Sequence, residues 1–226
     1  AGFAEAKMIE PITEAASRAF KGVGGTGETV PFYSLGAKVE KVGEKQLWDR
    51  SRFRQSRADL VTALAAPQLT SADLAVVVTD GQPSSARLAG STCSALGTED
   101  MRALAGTLSG FLDAGRGVWL VFERRAFRGT AFLNCSVPTQ AIKDAFAKKP
   151  RLTCGKECSY RHDGERVVMT IVLAAAGVEE DAAKFVESYL TELGAGAEAL
   201  RLHESASDRW SVRRPDVLHC HPQGIG

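Results

Sequence analysis

The sequence has almost no excess charge of either sign. Its 226 residues include 28 Lys and Arg against 27 Asp and Glu, so the formal net charge is +1. A chain with this balance has no overall field that would draw it to nucleic acid or anionic lipid. The basic pairs Arg124-Arg125 and Arg213-Arg214 are short and have no interleaved aromatic residues, unlike a surface that stacks bases. We therefore predict no nucleic-acid partner.

Long hydrophobic runs are also missing. The most apolar stretch, residues 167–176, is flanked by charge and is too short to cross a bilayer. We therefore predict no membrane insertion. No internal repeat is visible, and 44% hydrophobic with 24% charged residues is ordinary for a globular protein. The length fits one large α/β domain, or one domain with an appendage.

Cysteine is scarce, and the five residues of this type are scattered along the chain. Cys154 and Cys158 could close a small disulfide loop, form half of a zinc site whose second pair is missing, or stay unpaired thiols. These three alternatives stay open. Because a disulfide in an exported protein is favoured over structural zinc, the cell envelope or the exterior is the predicted location in preference to the cytoplasm.

Signatures of catalysis are equally sparse. The best available assembly is Asp80 with Ser84 or Ser85 and one of the 4 His. The two serines lie in Gln-Pro-Ser-Ser-Ala, which is not the Gly-x-Ser-x-Gly turn that exposes a nucleophile. His162 lies in the polar stretch 161–164, which predicts a turn. We predict a protein that is not an enzyme, with a small-molecule hydrolase or transferase using Asp80 as the alternative.

The most informative segment present is residues 74–79, Leu-Ala-Val-Val-Val-Thr, which runs directly into Asp80 and Gly81. An unbroken β-branched run bounded by turn residues is typical of a strand buried on both faces. Asp80 would then lie at the carboxyl end of the strand, where open α/β sheets hold their ligands.

Periodicity predicts further elements around this strand. Residues 98–114 form a helix with an apolar stripe, and Gly115 follows it as a stop signal. Together with strands 74–79 and 117–122 this helix makes a right-handed βαβ unit, whose strands should be parallel. The other predicted elements are helices at 4–20, 57–66, 136–148 and 179–193, a hairpin at 29–35 and 38–42, an extended segment at 126–134, and strands at 166–175 and 198–203.

The string Val76-Val77-Val78-Thr79-Asp80-Gly81, together with this order of elements, resembles the von Willebrand factor A (vWA) family over residues 1–195. The segment 127–132 is similar to a bacterial subgroup of that family. The resemblance implies a three-layer, Rossmann-like α/β fold with a mainly parallel sheet and one antiparallel edge hairpin strand. It implies a domain over 1–204 and an irregular C-terminal extension over 205–226.

The same resemblance implies a degenerate metal-ion-dependent adhesion site. Members of the family end their first strand in Asp-x-Ser-x-Ser, which we expect upstream of Ala1, and its absence would leave an open edge beside strand 74–79. A second family ligand, a Thr, is replaced by Ala58. Asp80 would remain as a relic ligand, with Ser56 and Asp59 as possible substitutes. Too few oxygens remain to bind Mg²⁺, so we predict no cofactor unless upstream residues restore the site.

The function that the resemblance implies is protein–protein recognition or adhesion, as a module of a longer polypeptide. The recognition face would lie at the carboxyl ends of the strands, formed by segments 52–59, 81–97 and 123–130. The predicted partner is another protein.

Overall fold

A computed structural model describes residues 8–23, 30–35, 38–44, 46, 60–79, 98–132, 152–154 and 158–202. The helices and strands alternate along much of the chain. In chain order they are α1 (Ile9–Gly22), β1 (Phe32–Leu35), β2 (Val39–Val42), α2 (Leu60–Leu64), α3 (Pro67–Thr70), β3 (Leu74–Thr79), α4 (Thr98–Asp113), β4 (Gly117–Phe132), β5 (Leu152–Cys154), β6 (Cys158–Ala174), α5 (Glu179–Leu193) and β7 (Glu198–Leu202).

The main sheet has five strands, and every described pairing in it is antiparallel. Its order is β3-β6-β4-β7, and β5 pairs with the first part of β6. The predicted hairpin forms, with β1 and β2 paired from Phe32↔Val42 to Leu35↔Val39. It makes a separate two-stranded sheet, however, and is not an edge of the main sheet.

The predicted mainly parallel, three-layer vWA-type sheet is therefore wrong. Strands β3 and β4 do run in the same direction, because both are antiparallel to β6. They are not neighbours, since β6 lies between them. The physical reason why β3 and β4 are not neighbours is the length of the pairing between β4 and β6. β4 is hydrogen-bonded to β6 along the whole of its 16 residues, so β6 occupies the position that a parallel neighbour of β4 would take.

Helices cover both faces of this antiparallel sheet. Each of α4 and α5 joins two strands that run in the same direction and have one antiparallel strand between them. Both connections move the same way across the sheet, but they start from strands of opposite direction. Two crossovers of one hand must then place their helices on opposite faces, as the cores show.

The first core lies between the sheet and helices α1 and α5, on what we call the α5 face. Alternate residues of each strand point into it, following the two-residue period of extended chain. Its buried members are Met8, Ile12, Ala15, Ala19, Trp119, Val121, Phe127, Val168, Val172, Ala174, Ala182, Phe185, Val186 and Tyr189. The helix predicted at 179–193 is confirmed as α5, and its buried residues all belong to this core.

The second core lies on the opposite, α4 face, where α2, α3, α4 and the β1–β2 hairpin pack on the sheet. Its buried members are Leu60, Leu64, Leu69, Val77, Leu104, Phe111, Leu112, Val118, Ile171, Leu173 and Leu202. The stop predicted for α4 is also confirmed. Gly115 has φ 71°, and Arg116 N–H donates to the Phe111 carbonyl at 2.9 Å, the αL ending that favours glycine.

Strands β4 and β6 extend well beyond the four-stranded part of the sheet. β3 and β7 pair with them only near one end, where β7 pairs with residues 118–122 of β4 and β3 pairs with residues 169–174 of β6. The predicted turn at 161–164 is wrong, because these residues are part of β6. The extended segment predicted at 126–134 is confirmed as far as Phe132, where it continues β4 beyond the strand predicted at 117–122. The backbone N–H and C=O groups of each strand are hydrogen-bonded by the other strand. The pairing therefore continues even where the side chains are polar.

The other predictions on organisation concern residues outside this description. Helix 136–148 and extension 205–226 lie outside it, as does the boundary at 204. Within the described ranges, no helix has both the length and the apolar character needed to cross a membrane.

Candidate binding sites

The predicted metal residues lie outside the described part of the chain. Asp80 follows Thr79, the last residue of β3, while Ser56 and Asp59 come shortly before α2. Their roles as relic or substitute ligands stay predictions. Across the ranges that the structure describes, no group of three or more His, Cys, Asp or Glu residues could hold a metal ion.

The other predicted features meet the structure only in part. Segments 52–59 and 81–97, which include Ser84 and Ser85, are outside the described residues. Strand pairing puts Cys154 directly opposite Cys158, a backbone arrangement that suits a disulfide. The choice among a disulfide, a zinc ligand pair and free thiols stays open, because only the backbone of these residues is described.

One edge of the main sheet has an unusual composition. Within the described ranges β3 pairs with β6 alone, so residues 74–78 present their other side without a strand neighbour. We call this side the open edge. Its five residues are all apolar, with no charge, proline or glycine. Edge strands normally carry charged residues, proline or bulges, which prevent pairing with another chain.

Both faces of β3 are covered, which makes its open edge more notable. Leu74, Val76 and Val78 pack against the α5-face core, while Ala75 and Val77 belong to the α4-face core. Val77 is 4% exposed. Burial on both faces is the environment of a central strand, whose neighbours lie on each side. Among the strands that the structure describes, β3 therefore has the side chains of a central strand and the position of an edge strand.

A polar cluster interrupts the α5-face core along β4. Glu123 follows the inward residues Trp119 and Val121 and is 5% exposed. Its Oε2 accepts a hydrogen bond from Arg125 Nε at 2.5 Å, while its Oε1 is buried and has no partner among the described residues. Burial raises the pKa of Glu123, and the hydrogen bond and charge of Arg125 oppose that rise. This carboxyl can thus hold a proton more readily than an exposed one.

Two hydroxyl groups lie near this carboxyl. Tyr189 Oη on α5 is 3.1 Å from Thr170 Oγ1 on β6, and both residues are buried. Burial raises the pKa of Tyr189, and the charge of Glu123 raises it further against the effect of the Thr170 hydrogen bond. Tyr189 therefore stays a neutral hydroxyl that links α5 to the centre of the sheet.

Next to Glu123, two arginines meet on the α5 face. The register places Arg125 on β4 directly opposite Arg166 on β6. The Arg166 guanidinium lies 5.2 Å from the centre of the Phe127 ring, and Phe127 is 1% exposed. The attraction between the ring face and the cation thus helps to hold the Arg166 guanidinium at this position.

A shallow depression lies at the opposite end of the sheet, where Arg116, Glu179 and Arg201 meet. Arg116 donates to the carbonyls of Thr70 and Ala72, and thereby ties the end of α3 to the start of β4. Its guanidinium is already used in holding these segments together, so we assign this place a structural role.

Comparison with protein-family models, with curated proteins and with solved structures finds no match to this chain. The vWA resemblance therefore rests on the sequence strings alone, and the antiparallel sheet does not support it.

Sequence reasoning missed the Glu123 cluster and the pairing of Arg125 with Arg166. One signal was present. In the run from Gly117 to Phe127, alternation puts Glu123 on the same face as Trp119 and Val121, which marks a carboxyl at an inward position. No pattern within the sequence, however, shows which residue of another strand lies opposite Arg125.

Proposed function

We propose that this chain is a protein-recognition module that accepts an extended segment of a partner protein at the open edge of β3. The observation that carries the proposal is the contrast between the packing of β3 against a core on each face and its single strand neighbour within the described ranges. Strand addition to a sheet edge is a common mode of peptide recognition, in which main-chain hydrogen bonds supply affinity and side-chain pockets supply specificity.

The environment of β3 defines what the partner segment must be. A strand beside β3 would direct alternate side chains to the α5 face and to the α4 face, as β3 itself does. Helices form an apolar layer on each face, so the segment should be apolar on both sides and free of charge at its centre. A second copy of the chain would bring its own helices on both faces, whereas one extended segment adds only a strand.

The proposal retains the class of function that the sequence predicts and moves it to a different surface. Segments 52–59 and 81–97 lie outside the described residues, and 123–130 is strand. The alternative, a hydrolase or transferase using Asp80, has no described residue to support it.

A peptide probe can be taken from the molecule itself. Residues 168–174 of β6 include the stretch that already pairs with β3, from Thr79↔Met169 to Leu74↔Ala174. A synthetic peptide of this sequence with lysines at both ends should bind the open edge through the same kind of backbone bonds. The control is the same peptide methylated on alternate amide nitrogens, because it keeps the side chains and loses donors.

Hydrogen exchange at individual amides is the measurement. About half of the β3 amides should exchange more slowly with the peptide present, because alternate residues of a strand point their N–H groups to opposite neighbours. The amides of β7 should not change, and the methylated peptide should have no effect. Unchanged β3 amides, or equal protection of β7, would contradict the proposal. Concentration-dependent dimers without peptide, measured by light scattering, would identify a second copy as the occupant instead.

A further inference from the structure

We propose that Arg125 and Arg166 form a binding site for an oxyanion, a phosphoryl or carboxylate group, on the α5 face of the β4–β6 ribbon. The inference is independent of strand recognition at β3, because it uses other strands and other chemistry.

The first argument is the register. Arg125 and Arg166 are directly opposite each other on neighbouring strands, and their side chains share one face. Like charges at directly opposed positions destabilise a strand pair. Three positions further along β4 the pattern is different, because Arg128 is opposite Asp163, with Arg128 Nε 3.5 Å from Asp163 Oδ2. The ribbon thus has opposite charges across the strands on one face, whereas on the other face two cations are opposed across the strands and Arg125 contacts a carboxylate of its own strand, Glu123.

The second argument is the state of the two guanidinium groups. Arg125 donates a hydrogen bond from its Nε to Glu123, and no other partner of its guanidinium is found within the described ranges. Arg166 rests over Phe127, and among the described residues no carboxylate forms an ion pair with it. Both side chains are half-buried. A guanidinium stacked on a ring keeps its N–H edge free, and that edge matches two oxygens of a carboxylate or phosphate.

The third argument is the buried acid beside them. Glu123 lies two residues before Arg125 on the same face of β4, accepts a hydrogen bond from Arg125 at Oε2, and has a buried Oε1 without a described partner. An ionised Glu123 repels an incoming anion, while a protonated Glu123 does not. Anion binding should therefore be coupled to proton uptake by Glu123 and should tighten as the pH falls. The groups that act on this carboxyl are Arg125 from β4, which donates a hydrogen bond to it, and the neutral Tyr189 from α5, while Arg166 of β6 lies on the same face two residues further along the ribbon.

Sulfate is the probe for the first experiment, because its charge does not change between weakly acid and neutral pH. Titration followed by amide chemical shifts should give saturable binding, with the largest shifts at residues 125 and 166. Arg166→Gln should weaken binding at least about tenfold, the effect of losing one charge-assisted pair of hydrogen bonds. Arg166→Lys keeps a point charge and loses the two parallel N–H donors. Its affinity for sulfate should therefore lie between those of wild type and Arg166→Gln.

The matched control is Arg124→Gln. Arg124 is adjacent to Arg125 in sequence, is exposed and points to the opposite face. It should leave sulfate affinity within about twofold, as expected for an exposed charge screened by salt. Equal weakening by Arg124→Gln, or binding that never saturates, would show attraction to general positive charge and would overturn the proposal. If circular dichroism shows that Arg166→Gln is unfolded, Arg166→Lys decides alone, and unchanged affinity then overturns it.

Two further arms refine the site. Wild-type affinity for sulfate should be higher at pH 5 than at pH 8, and Glu123→Gln should remove that difference. A pH dependence that survives Glu123→Gln overturns the coupling. Comparison of inorganic phosphate with acetate distinguishes the sources, because tighter phosphate binding indicates a phosphoryl ligand and tighter acetate binding indicates a carboxylate.

Discussion

The two strands at the edges of the main sheet as far as the chain is described, β3 and β7, have opposite chemistry. Residues 74–78 of β3 are apolar without exception, whereas β7 carries Glu198 and Arg201 within five residues. Four of the five β7 residues are exposed, while every residue of β3 is buried or half-buried. Charge on an exposed edge strand discourages pairing with another chain. β7 is therefore suited to be a final strand, and β3 is suited to have another neighbour.

The difference follows from what covers each strand. β3 lies between two cores, so helices shield it on both faces. β7 depends more on its own side chains. Leu200 is 53% exposed, and the Arg201 guanidinium lies 5.0 Å from the centre of the Trp119 ring. A long arginine side chain can cover apolar surface while its charged end stays in water, so β7 needs no helix above this position.

The largest expected effect comes from placing the same charge on both edges. Val77→Asp puts a carboxylate into a site that is 4% exposed on β3, and should cost about 3 kcal/mol or more of the free energy of unfolding. Leu200→Asp on β7 should cost about 0.5 kcal/mol or less, because the new charge remains in water. Urea denaturation of the two variants measures both values. Similar losses would show that the two edges do not differ in burial.

A smaller effect on stability is expected from Glu123, the buried carboxyl of β4, which is the strand that pairs with β7. Burial raises the folded-state pKa of Glu123 above its ordinary value of 4.5, so folding favours the protonated form. The resulting stabilisation is complete below that value and is lost as the pH rises through the folded-state pKa. Glu123→Gln should remove this loss, with a change on the order of 1 kcal/mol at neutral pH.

The measurement is the free energy of unfolding of both proteins from pH 4.5 upwards. Wild type should lose stability over this range relative to Glu123→Gln. The control is Glu198→Gln, an exposed carboxyl at the start of β7, which should follow the wild-type profile. A Glu123→Gln profile parallel to that of wild type would rule out the proton-binding role of Glu123.

The smallest effect is expected at the cover of β7. Arg201→Ala removes the contact with Trp119 and should reduce the free energy of unfolding by about 0.5–1 kcal/mol. Arg201→Lys keeps a cation and an apolar stem, so it should lose less. Thermal unfolding can resolve the two variants. Equal losses would indicate that the planar guanidinium has no special part in covering the indole.

The sequence was sufficient for some elements, and it was insufficient for the full length of β4 and β6 and for the arrangement of the sheet. Strand 74–79 and helix 179–193 agree with the structure in both bounds, because their apolar periods are strong and turn residues or glycine bound them. The parallel sheet was wrong because a period shows which face of a strand is buried and not which strand lies beside it. An apolar run such as β3 fits a parallel or an antiparallel neighbour equally well.

The candidate sites also divide into those that local patterns indicate and those that depend on how the strands are arranged. Asp80, Ser56 and Asp59 were selected from local strings, and they lie outside the described residues, so their roles stay predictions. The opposition of Arg125 and Arg166 arises from a register between residues 41 positions apart in the chain, 166 minus 125. Local patterns carry no information on such a pairing, and only the assembled sheet brings these charges together.

The register of β3 also has a consequence for the order of events during synthesis. Thr79 pairs with Met169 and Leu74 with Ala174, so the partner residues of β3 are made 90 to 100 residues after β3 itself. At a translation rate of roughly 5–20 residues per second, this apolar strand waits about 5–20 s before β6 exists. Pairings of such long sequence separation also form slowly. During synthesis β3 is therefore an apolar strand without its partner, until β6 takes its place beside it.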